Sequence, residues 1–399
     1  KELGPLNLKQ DLGLITILQI SQKIFLDGQV ILTMRLTDYI KKDFYMTKKN
    51  IVINGREISQ DKPPFIVAEI SANHNGSLER AINTIKFAKL SGVDAVKIQT
   101  YTPDTMTLNI ENEDFRINEG LWKDRTLYDL YEEAHTPFEW HEDLFNYAKN
   151  LGITIFSTPF DESAVDLLEF LNVPAYKIAS FEIVDLQLIK YVAKTKKPML
   201  ISTGMASLDE ISEAIETAKS NGCKEIAILH CISSYPTPIS EANLKAIITL
   251  REKFKIEVGL SDHTTDNLAS IIATSFGSTI IEKHFTLSRS DGGVDSNFSL
   301  EPEEMKDLVK NTKLTFQAIK SKDQIRSPIE ENNKVFRRSL YFVDNISKGQ
   351  IISKKHVKRI RPGYGLDAQY YDEVIGCKCL KDSKKGDRVT FEHYKEKKI

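Results

Sequence analysis

The sequence predicts an α/β protein, a (β/α)8 TIM barrel followed by a small β-rich domain. Short apolar runs alternate with helix-sized segments eight times, and such alternation is typical of parallel strands. Polar residues follow the runs directly, as expected where the carboxyl ends of barrel strands line one cavity. A doubly wound open sheet is the alternative. It does not require polar residues at every strand exit, and no Gly-rich dinucleotide fingerprint follows the first strand.

The eight predicted strands have an apolar interior and a polar exit, and they are Phe65–Ile70, Ala95–Ile98, Ile153–Thr158, Ala175–Ser180, Met199–Gly204, Ile226–Ile232, Ile256–Leu260 and Thr279–Ile281. Apolar residues at helical spacing predict helices between them, at Ser77–Ser91, Glu162–Leu171, Leu186–Thr195, Ser207–Ser220, Asn243–Phe254 and Asn267–Phe276. A long insertion rich in aromatic and charged residues, Thr102–His141, follows the second strand. It predicts either plain packing or a lid over the cavity.

The amino-terminal part of the chain does not share this layout. Residues 1–50 match none of the repeating pattern, whereas residues 51–320 are predicted to form the barrel domain. Met46 is a natural start, so we expect Lys1–Tyr45 to be an upstream extension. A genuine accessory segment is the alternative.

The composition changes after the long helix predicted at Pro302–Ile319. Residues 321–335 are polar and predict a linker. Residues 336–399 predict a separate small domain, with β-like runs at Ser339–Val343, Val357–Ile360 and Arg388–Phe391.

Charge and composition exclude several classes of function. The 399-residue chain has a formal net charge of −2, so nothing indicates a nucleic-acid partner. No stretch approaches the roughly 20 uninterrupted apolar residues of a membrane span. The four cysteines are few and unpatterned, which predicts reduced thiols in a cytoplasmic protein.

Two histidines follow successive predicted strands. One strand ends in Ser261-Asp262-His263 and the next in Glu282-Lys283-His284. Adjacent strands lie roughly 5 Å apart, so the two imidazoles can converge on one metal ion. The alternative is that a backbone carbonyl satisfies each histidine separately.

The other strand exits supply groups that suit a phosphate-bearing substrate, because lysine provides charge and hydroxyls provide hydrogen bonds to phosphate oxygens. These groups are Glu69, Lys97, Thr158, Lys177, Ser180, Ser202, Tyr235 and Glu282. In the alternative, the two lysines are interior charges paired with the two glutamates, and the hydroxyls cap the following helices. His230 is expected to be a core or supporting residue rather than a ligand.

A set of motifs in the chain resembles the sialic acid synthase family, whose members condense phosphoenolpyruvate with an amino sugar. The motifs are AEISANHNGS (68–77), KIQTYTPDT (97–105), STPF (157–160), YKIAS (176–180), STGM (202–205), LHCISSYPTP (229–238), GLSDHT (259–264) and EKHF (282–285). The runs GLW (120–122) and HTPFEWH (135–141) are most similar to members that make pseudaminic acid. The tail containing RPGYG (361–365) resembles the family's SAF, or antifreeze-like, domain.

The resemblance implies the reaction of phosphoenolpyruvate with 2,4-diacetamido-2,4,6-trideoxy-L-altrose and water, giving pseudaminic acid and phosphate. Precursors of neuraminic or legionaminic acid are alternative sugars, and Ser233 stands where neuraminate-type members often carry Asn. A Schiff-base aldolase acting through Lys177 is a rival reading. A non-catalytic sugar-binding protein is another.

The resemblance also implies roles for individual residues. His263 and His284 would bind a divalent metal, with Mn²⁺ expected and Mg²⁺ or Co²⁺ as alternatives. The candidate catalytic residues are Glu69, Lys97, Lys177 and Glu282, and the candidate substrate-binding residues are Thr158, Ser180, Ser202, Tyr235, Asp295 and Arg361. Arg361 would reach the sugar from the second subunit of a domain-swapped homodimer.

Overall fold

The computed structural model describes residues 51–320 and 327–394. The chain divides into two compact units, Lys1–Lys320 and Ser321–Ile399. The expectations about Lys1–Tyr45 and a start at Met46 lie outside the described residues.

A short hairpin precedes the barrel. Strand β1 (Ile51–Ile53) pairs antiparallel with β2 (Arg56–Ile58). Asn54 and Gly55 form the turn with φ values of 47° and 79°, the left-handed conformation that a two-residue hairpin turn favours. The isoleucines at both ends of β1 are buried in the core of the first unit. The sequence analysis did not predict this hairpin.

Eight parallel strands of the first unit form a closed barrel, in which strands that follow one another along the chain lie side by side and the last strand pairs with the first. Its strands are β3 (Phe65–Glu69), β4 (Ala95–Thr100), β5 (Thr154–Pro159), β6 (Tyr176–Ile178), β7 (Met199–Ser202), β8 (Ile226–Cys231), β9 (Glu257–Asp262) and β10 (Ile280–His284). The predicted barrel is therefore confirmed, and the open-sheet alternative is wrong.

Helices alternate with the barrel strands, and most of them bury an apolar face. They are α1 (Leu78–Ser91), α2 (Pro103–Met106), α3 (Leu127–Ala134), α4 (His141–Leu151), α5 (Glu162–Phe170), α6 (Leu186–Lys194), α7 (Leu208–Ser220), α8 (Ala246–Phe254), α9 (Leu268–Ser275) and α10 (Pro302–Ile319). Ser77 caps α1 by accepting a hydrogen bond from the amide of Arg80, at the start of the predicted helix Ser77–Ser91. The helices α2 and α3 lie within the insertion that follows β4.

The second unit has its own small core. Strand β11 (Ser339–Phe342) pairs antiparallel with β12 (Val357–Ile360), and α11 is Tyr371–Val374. The run Arg388–Phe391 does not form the predicted strand, because within it only Arg388 makes an isolated bridge, to Tyr341, and Phe391 begins a 3-10 helix, Phe391–His393. A 3-10 helix, Pro328–Phe336, lies where a linker was expected.

The state of the cysteines and the absence of a membrane-spanning stretch were also predicted from the sequence. All four cysteines are free thiols, in agreement with the sequence analysis. In the part of the chain that the structure describes, no helix has the length and apolarity needed to span a membrane.

Candidate active site

The predicted site residues of the barrel gather at the carboxyl ends of its strands. Glu69, Lys97, Thr158, Lys177, Ser202, Glu282 and His284 lie on the strands, and Ser180, Tyr235, His263 and Asp295 lie in the loops that follow them. All of these residues are buried except Tyr235, which is half-buried. The barrel therefore collects two lysines, several carboxylates and two imidazoles in one water-poor space.

The two lysines converge on one carboxylate. The ammonium Nζ of Lys177 lies 3.4 Å from Oε1 of Glu282, and Nζ of Lys97 lies 3.9 Å from its Oε2. Lys97 also forms an ion pair with Glu69. The pairing of lysines with glutamates, stated above as the alternative to a phosphate site, is therefore present in this structure. An anionic ligand could replace it, because burying two ammonium groups favours any anion placed between them.

Burial and charge shift the four pKa values in different directions. Burial raises the pKa of the Glu69 carboxyl, against the opposing effect of Lys97. Burial alone would raise the pKa of Glu282 too, but the two ammonium groups outweigh it and lower that pKa. Burial lowers the pKa of Lys177. For Lys97, the carboxylates of Glu282 and Glu69 outweigh burial and raise the pKa. Glu282 is therefore held as a carboxylate, and Glu69 keeps a proton more readily.

The hydroxyl groups lie beside this charge cluster. Thr158 Oγ1 accepts a hydrogen bond from Lys97 Nζ at 3.2 Å, and Ser180 Oγ accepts one from the Gly204 amide at 3.1 Å. Ser202 Oγ is buried and has no hydrogen-bond partner among the described residues. A buried hydroxyl without a protein partner is uncommon, and it is free to hydrogen-bond a ligand or water.

None of these hydroxyls is needed as a helix cap. The side chains of Asp161 and Ser207 cap α5 and α7, so the capping alternative is wrong. Gly204 completes this side of the cavity, because a Cβ there would clash with the Ser233 hydroxyl and lie 2.7 Å from Ser180 Oγ. Without a Cβ at Gly204, the hydroxyls of Ser180 and Ser233 can lie close to the Gly204 backbone, an arrangement that is common in phosphate-binding sites.

The two imidazoles face each other with ring centroids 5.4 Å apart. His263 Nδ1 lies 3.0 Å from the carbonyl oxygen of Ile232, which orients the ring and leaves Nε2 available. His284 Nδ1 is buried and lacks a hydrogen-bond partner within residues 51–320 and 327–394. The backbone-carbonyl alternative thus describes His263 but not His284.

These residues fit a divalent metal. Burial lowers the pKa of His284 well below its usual value, and a neutral imidazole is the form that binds metal. The pKa of His263 shifts the other way, because the effect of burial is outweighed by Cys231 together with the other polar neighbours, which raise it. No group of three or more His, Cys, Asp or Glu in the described ranges is arranged to hold an ion. Two imidazoles alone would leave the other coordination positions to water and substrate.

Asp295 approaches the imidazoles from the loop after β10. Its Oδ2 lies 3.9 Å from His284 Nδ1 and accepts a hydrogen bond from the Ala72 amide at 3.4 Å. Burial raises the pKa of this carboxyl. Its position beside the imidazoles suits a group that hydrogen-bonds a substrate hydroxyl or amide.

Comparison with known proteins identifies the family. Residues 84–324 match the model of the NeuB family. The chain belongs to the NeuB family. A pseudaminic acid synthase of Campylobacter jejuni serotype O:2 is 47% identical over 82% of this chain and 96% of that protein. One from Helicobacter pylori is 43% identical over 80% of this chain and 94% of that protein.

Solved structures agree with this NeuB-family fold. The N-acetylneuraminic acid synthetase of Leptospira borgpetersenii, crystallised with citrate, has a TM-score of 0.65 and 29% identity, covering 72% of this chain and 95% of that one. The spore coat polysaccharide biosynthesis protein SpsE of Bacillus subtilis has a TM-score of 0.59 and 30% identity, covering 87% of this chain and 99% of that one.

Aromatic rings line the other side of this NeuB-family site. The Tyr235 ring centroid lies 4.4 Å from that of His263 and 5.4 Å from that of Phe298. The Phe298 ring centroid also lies 4.8 Å from that of His284. The sequence analysis missed Phe298 because it lies fourteen positions after the end of β10, outside any strand exit. Tyr235 therefore shapes the cavity beside the imidazoles.

The sequence analysis also missed two polar residues. Gln99 donates hydrogen bonds to Glu69 Oε1 at 3.3 Å and to Ser71 Oγ at 2.9 Å. Burial raises the pKa of Glu182 to about 7, and its Oε2 has no hydrogen-bond partner in the described part of the molecule. Gln99 lies in the motif KIQTYTPDT (97–105), and Glu182 follows the motif YKIAS (176–180) by two residues. Their positions next to strand ends were the only feature of the sequence that could have indicated them.

Two predicted residues remain, one in each unit. His230 Nε2 lies 2.9 Å from the Ala242 carbonyl oxygen, which agrees with the expected core role. Arg361 lies in the second unit and is exposed. Its contact with the sugar stays a prediction.

Proposed function

We propose that the chain is a pseudaminic acid synthase, which joins phosphoenolpyruvate to 2,4-diacetamido-2,4,6-trideoxy-L-altrose and water, giving pseudaminic acid and phosphate. The observation that carries this proposal is the pair of buried ammonium groups, Lys97 and Lys177, in one cavity with two neighbouring imidazoles. The Ser202 hydroxyl in the same cavity has no hydrogen-bond partner among the described residues. The 47% identity to the C. jejuni relative supports this choice of sugar. A legionaminic acid synthase of the same species is 36% identical, which makes its sugar the second candidate.

The lysine side of the cavity is assigned to phosphoenolpyruvate. Lys97 and Lys177 would exchange their glutamate partners for the phosphate and carboxylate of this substrate. Thr158, Ser180 and Ser202 would supply hydrogen bonds to the phosphate oxygens. The hydroxyl of Ser202, which lacks a partner among the residues described, would then gain one.

The remaining groups suit the bond changes. C3 of phosphoenolpyruvate attacks the sugar's carbonyl carbon, water adds at C2, and the C–O bond to phosphate breaks. Glu282, whose pKa is lowered against the effect of its burial by Lys177 and Lys97, is suited to orient that water and accept its proton. Glu69, whose pKa is raised by burial, is suited to hold a proton for a sugar oxygen. The lysines stabilise charge on the departing phosphate.

A divalent metal is part of the proposal. His263 and His284 would hold it, and it would supply a Lewis acid for the sugar's carbonyl oxygen. Mn²⁺ is the expected ion, with Mg²⁺ or Co²⁺ as alternatives, since imidazole and oxygen ligands accept all three.

The deciding experiment measures phosphate release from phosphoenolpyruvate with a panel of amino sugars, before and after chelation of metal. We expect release with the 2,4-diacetamido-trideoxy sugar, and loss of release after chelation that added Mn²⁺ restores. Release with another precursor only would replace the proposed sugar. Borohydride trapping tests the aldolase reading, because a covalent adduct at Lys177, with activity that survives the chelator, would overturn the proposed mechanism.

A further inference from the structure

The insertion between β4 and α4 reaches the mouth of the barrel through Trp122. Its indole Nε1 donates a hydrogen bond to the carbonyl oxygen of Val294 at 3.0 Å. Val294 directly precedes Asp295, whose carboxylate lies 3.9 Å from His284 Nδ1. One hydrogen bond thus ties the insertion to the loop that lies beside the imidazoles.

Trp122 also begins a series of aromatic rings that leads to the same place. Its ring centroid lies 5.8 Å from that of Tyr235, which lies 4.4 Å from that of His263. Tyr235 also contacts Phe298, 5.4 Å away. The cavity therefore has a charged side, formed by the lysines, and an aromatic side that extends outward to Trp122.

The two sides recognise different chemistry. Phosphoenolpyruvate carries the charge and belongs with the lysines, so the sugar faces the aromatic rings once its carbonyl end is at the imidazoles. The indole of Trp122 has a single polar group, its N–H, and Val294 already accepts that hydrogen bond. Trp122 can therefore offer only an apolar face, which favours a methyl group over a hydroxyl.

We propose that Trp122 is a specificity-determining residue, which contacts the C6 methyl group of the sugar and disfavours a C6 hydroxyl. This assignment rests on the proposed function and deepens it. An apolar wall discriminates against an added hydroxyl by about 100-fold at most, so the expected preference is moderate.

The test compares two sugars that differ only at C6, the 6-deoxy diacetamido sugar and its 6-hydroxyl counterpart. With the wild-type protein, kcat/KM should favour the deoxy sugar by roughly 10- to 100-fold. Trp122→Ala should reduce that preference to about threefold or less and raise KM for the deoxy sugar about tenfold, with KM for phosphoenolpyruvate nearly unchanged. An unchanged preference in Trp122→Ala, or a wild-type protein without preference, would overturn the proposal.

Two variants separate contact with the sugar from support of the loop. Trp122→Phe keeps an aromatic face but loses the hydrogen bond to Val294, and it should keep the preference. If it loses the preference as fully as Trp122→Ala, the residue acts through Val294 and the proposed contact is wrong. Leu121→Ala removes the exposed neighbour and should leave the preference as in wild type. A loss there as large as in Trp122→Ala would also count against Trp122.

A fluorescence measurement keeps this inference distinct from the proposed function. The chain has two tryptophans, so in Trp140→Phe the emission comes from Trp122 alone. Titration with the deoxy sugar should change that emission with saturation. A saturable change without any phosphate release in wild type would support the contact and reject the proposed function. Release without a change in emission would support the function and overturn the contact.

Discussion

Strand β10 contributes to a buried lysine–carboxylate pair on each of its two faces. The two faces differ in how many of their buried polar atoms have hydrogen-bond partners. Lys283 points away from the barrel interior, and its Nζ lies 3.0 Å from Asp262 Oδ2 and 2.8 Å from the carbonyl oxygen of Asp266. Asp262 in turn accepts hydrogen bonds from the Thr264 amide at 2.9 Å and from Ser270 Oγ at 2.7 Å. This outer pair is buried and fully bonded.

The inner face is buried as deeply but bonded less completely. Glu282 accepts a hydrogen bond from Ser261 at 2.9 Å through Oε1, whereas its Oε2 makes none to any residue that the structure describes. Ser202 Oγ and His284 Nδ1, nearby, are likewise without a hydrogen bond in those ranges. Folding normally satisfies buried polar groups, so several unsatisfied groups within one cavity fit a ligand site.

The difference teaches that burial of a lysine does not by itself identify a site. Both faces take charge out of water, which costs several kcal/mol per ion unless partners compensate. On the outer face the protein supplies all the partners, so Lys283 is structural. On the inner face the polar groups around Lys97 and Lys177 are bonded incompletely among the described residues, and we propose that these two lysines bind a substrate. Variants of the two faces should therefore separate activity from stability.

The largest effect is expected for Lys177→Met on the inner face. Without this ammonium group the departing phosphate loses a stabilising charge, so kcat/KM should fall about 1,000-fold or more, equivalent to about 4 kcal/mol. The free energy of unfolding should change by about 1 kcal/mol or less, because Lys97 still accompanies Glu282. Phosphate-release kinetics and urea denaturation measure the two quantities.

The matched control for that variant is Lys190→Met, at an exposed position of α6. It removes the same ammonium group from the surface and should leave both activity and stability as in wild type. The comparison fails if Lys177→Met keeps kcat/KM within about threefold of wild type, or if it unfolds the protein.

Much of the fold could be predicted from the sequence because each barrel strand couples an apolar run to a polar exit. The predicted strand Phe65–Ile70, for example, differs from β3 by one residue. The hairpin was missed because β1 and β2 have three residues each, which is too few to show the alternation of apolar and polar residues that indicates a strand. Its Asn54-Gly55 turn was the readable signal.

The site was predicted less completely, since sequence gives the groups but not their partners. Lys283 and Lys97 each lie within a strand. Only the side of the strand to which the side chain points distinguishes a structural lysine from one in the cavity. Trp122 contacts Val294 across 172 positions of sequence, a pairing that no local pattern indicates. Asp295 came from resemblance alone, because it lies in an irregular loop.

The second effect in size is expected for Lys283→Met on the outer face. This variant leaves the Asp262 carboxylate buried without its cation, so the free energy of unfolding should fall by about 3 kcal/mol. The double variant Lys283→Met/Asp262→Asn removes both charges but keeps an acceptor for Thr264 and Ser270, and it should recover most of that loss. Urea denaturation measures both. If the single variant is as stable as wild type, or the double variant is no better than the single, the outer pair is not the structural element described.

The smallest effect concerns Glu182, which lies in the 3-10 helix Phe181–Val184 after β6. Its Oε2 has no hydrogen-bond partner among the described residues. Burial raises its pKa from 4.5 to about 7, so the folded state binds its proton more tightly than the unfolded state does. Between these pH values the folded protein holds more protons, and its stability therefore falls as pH rises, then levels off above about pH 7. The side chain is partly exposed, so solvent screening reduces the size of this effect.

Glu182→Gln removes this charge and tests whether the incomplete bonding has a cost. At pH 8 the variant should be more stable than wild type by on the order of 1 kcal/mol, and the difference should shrink toward pH 5. Glu213→Gln, at an exposed position of α7, is the control and should show no such trend. Urea midpoints across this pH range supply the data. A difference that is constant with pH, or that favours wild type at pH 8, would mean that Glu182 is as well satisfied as the outer pair.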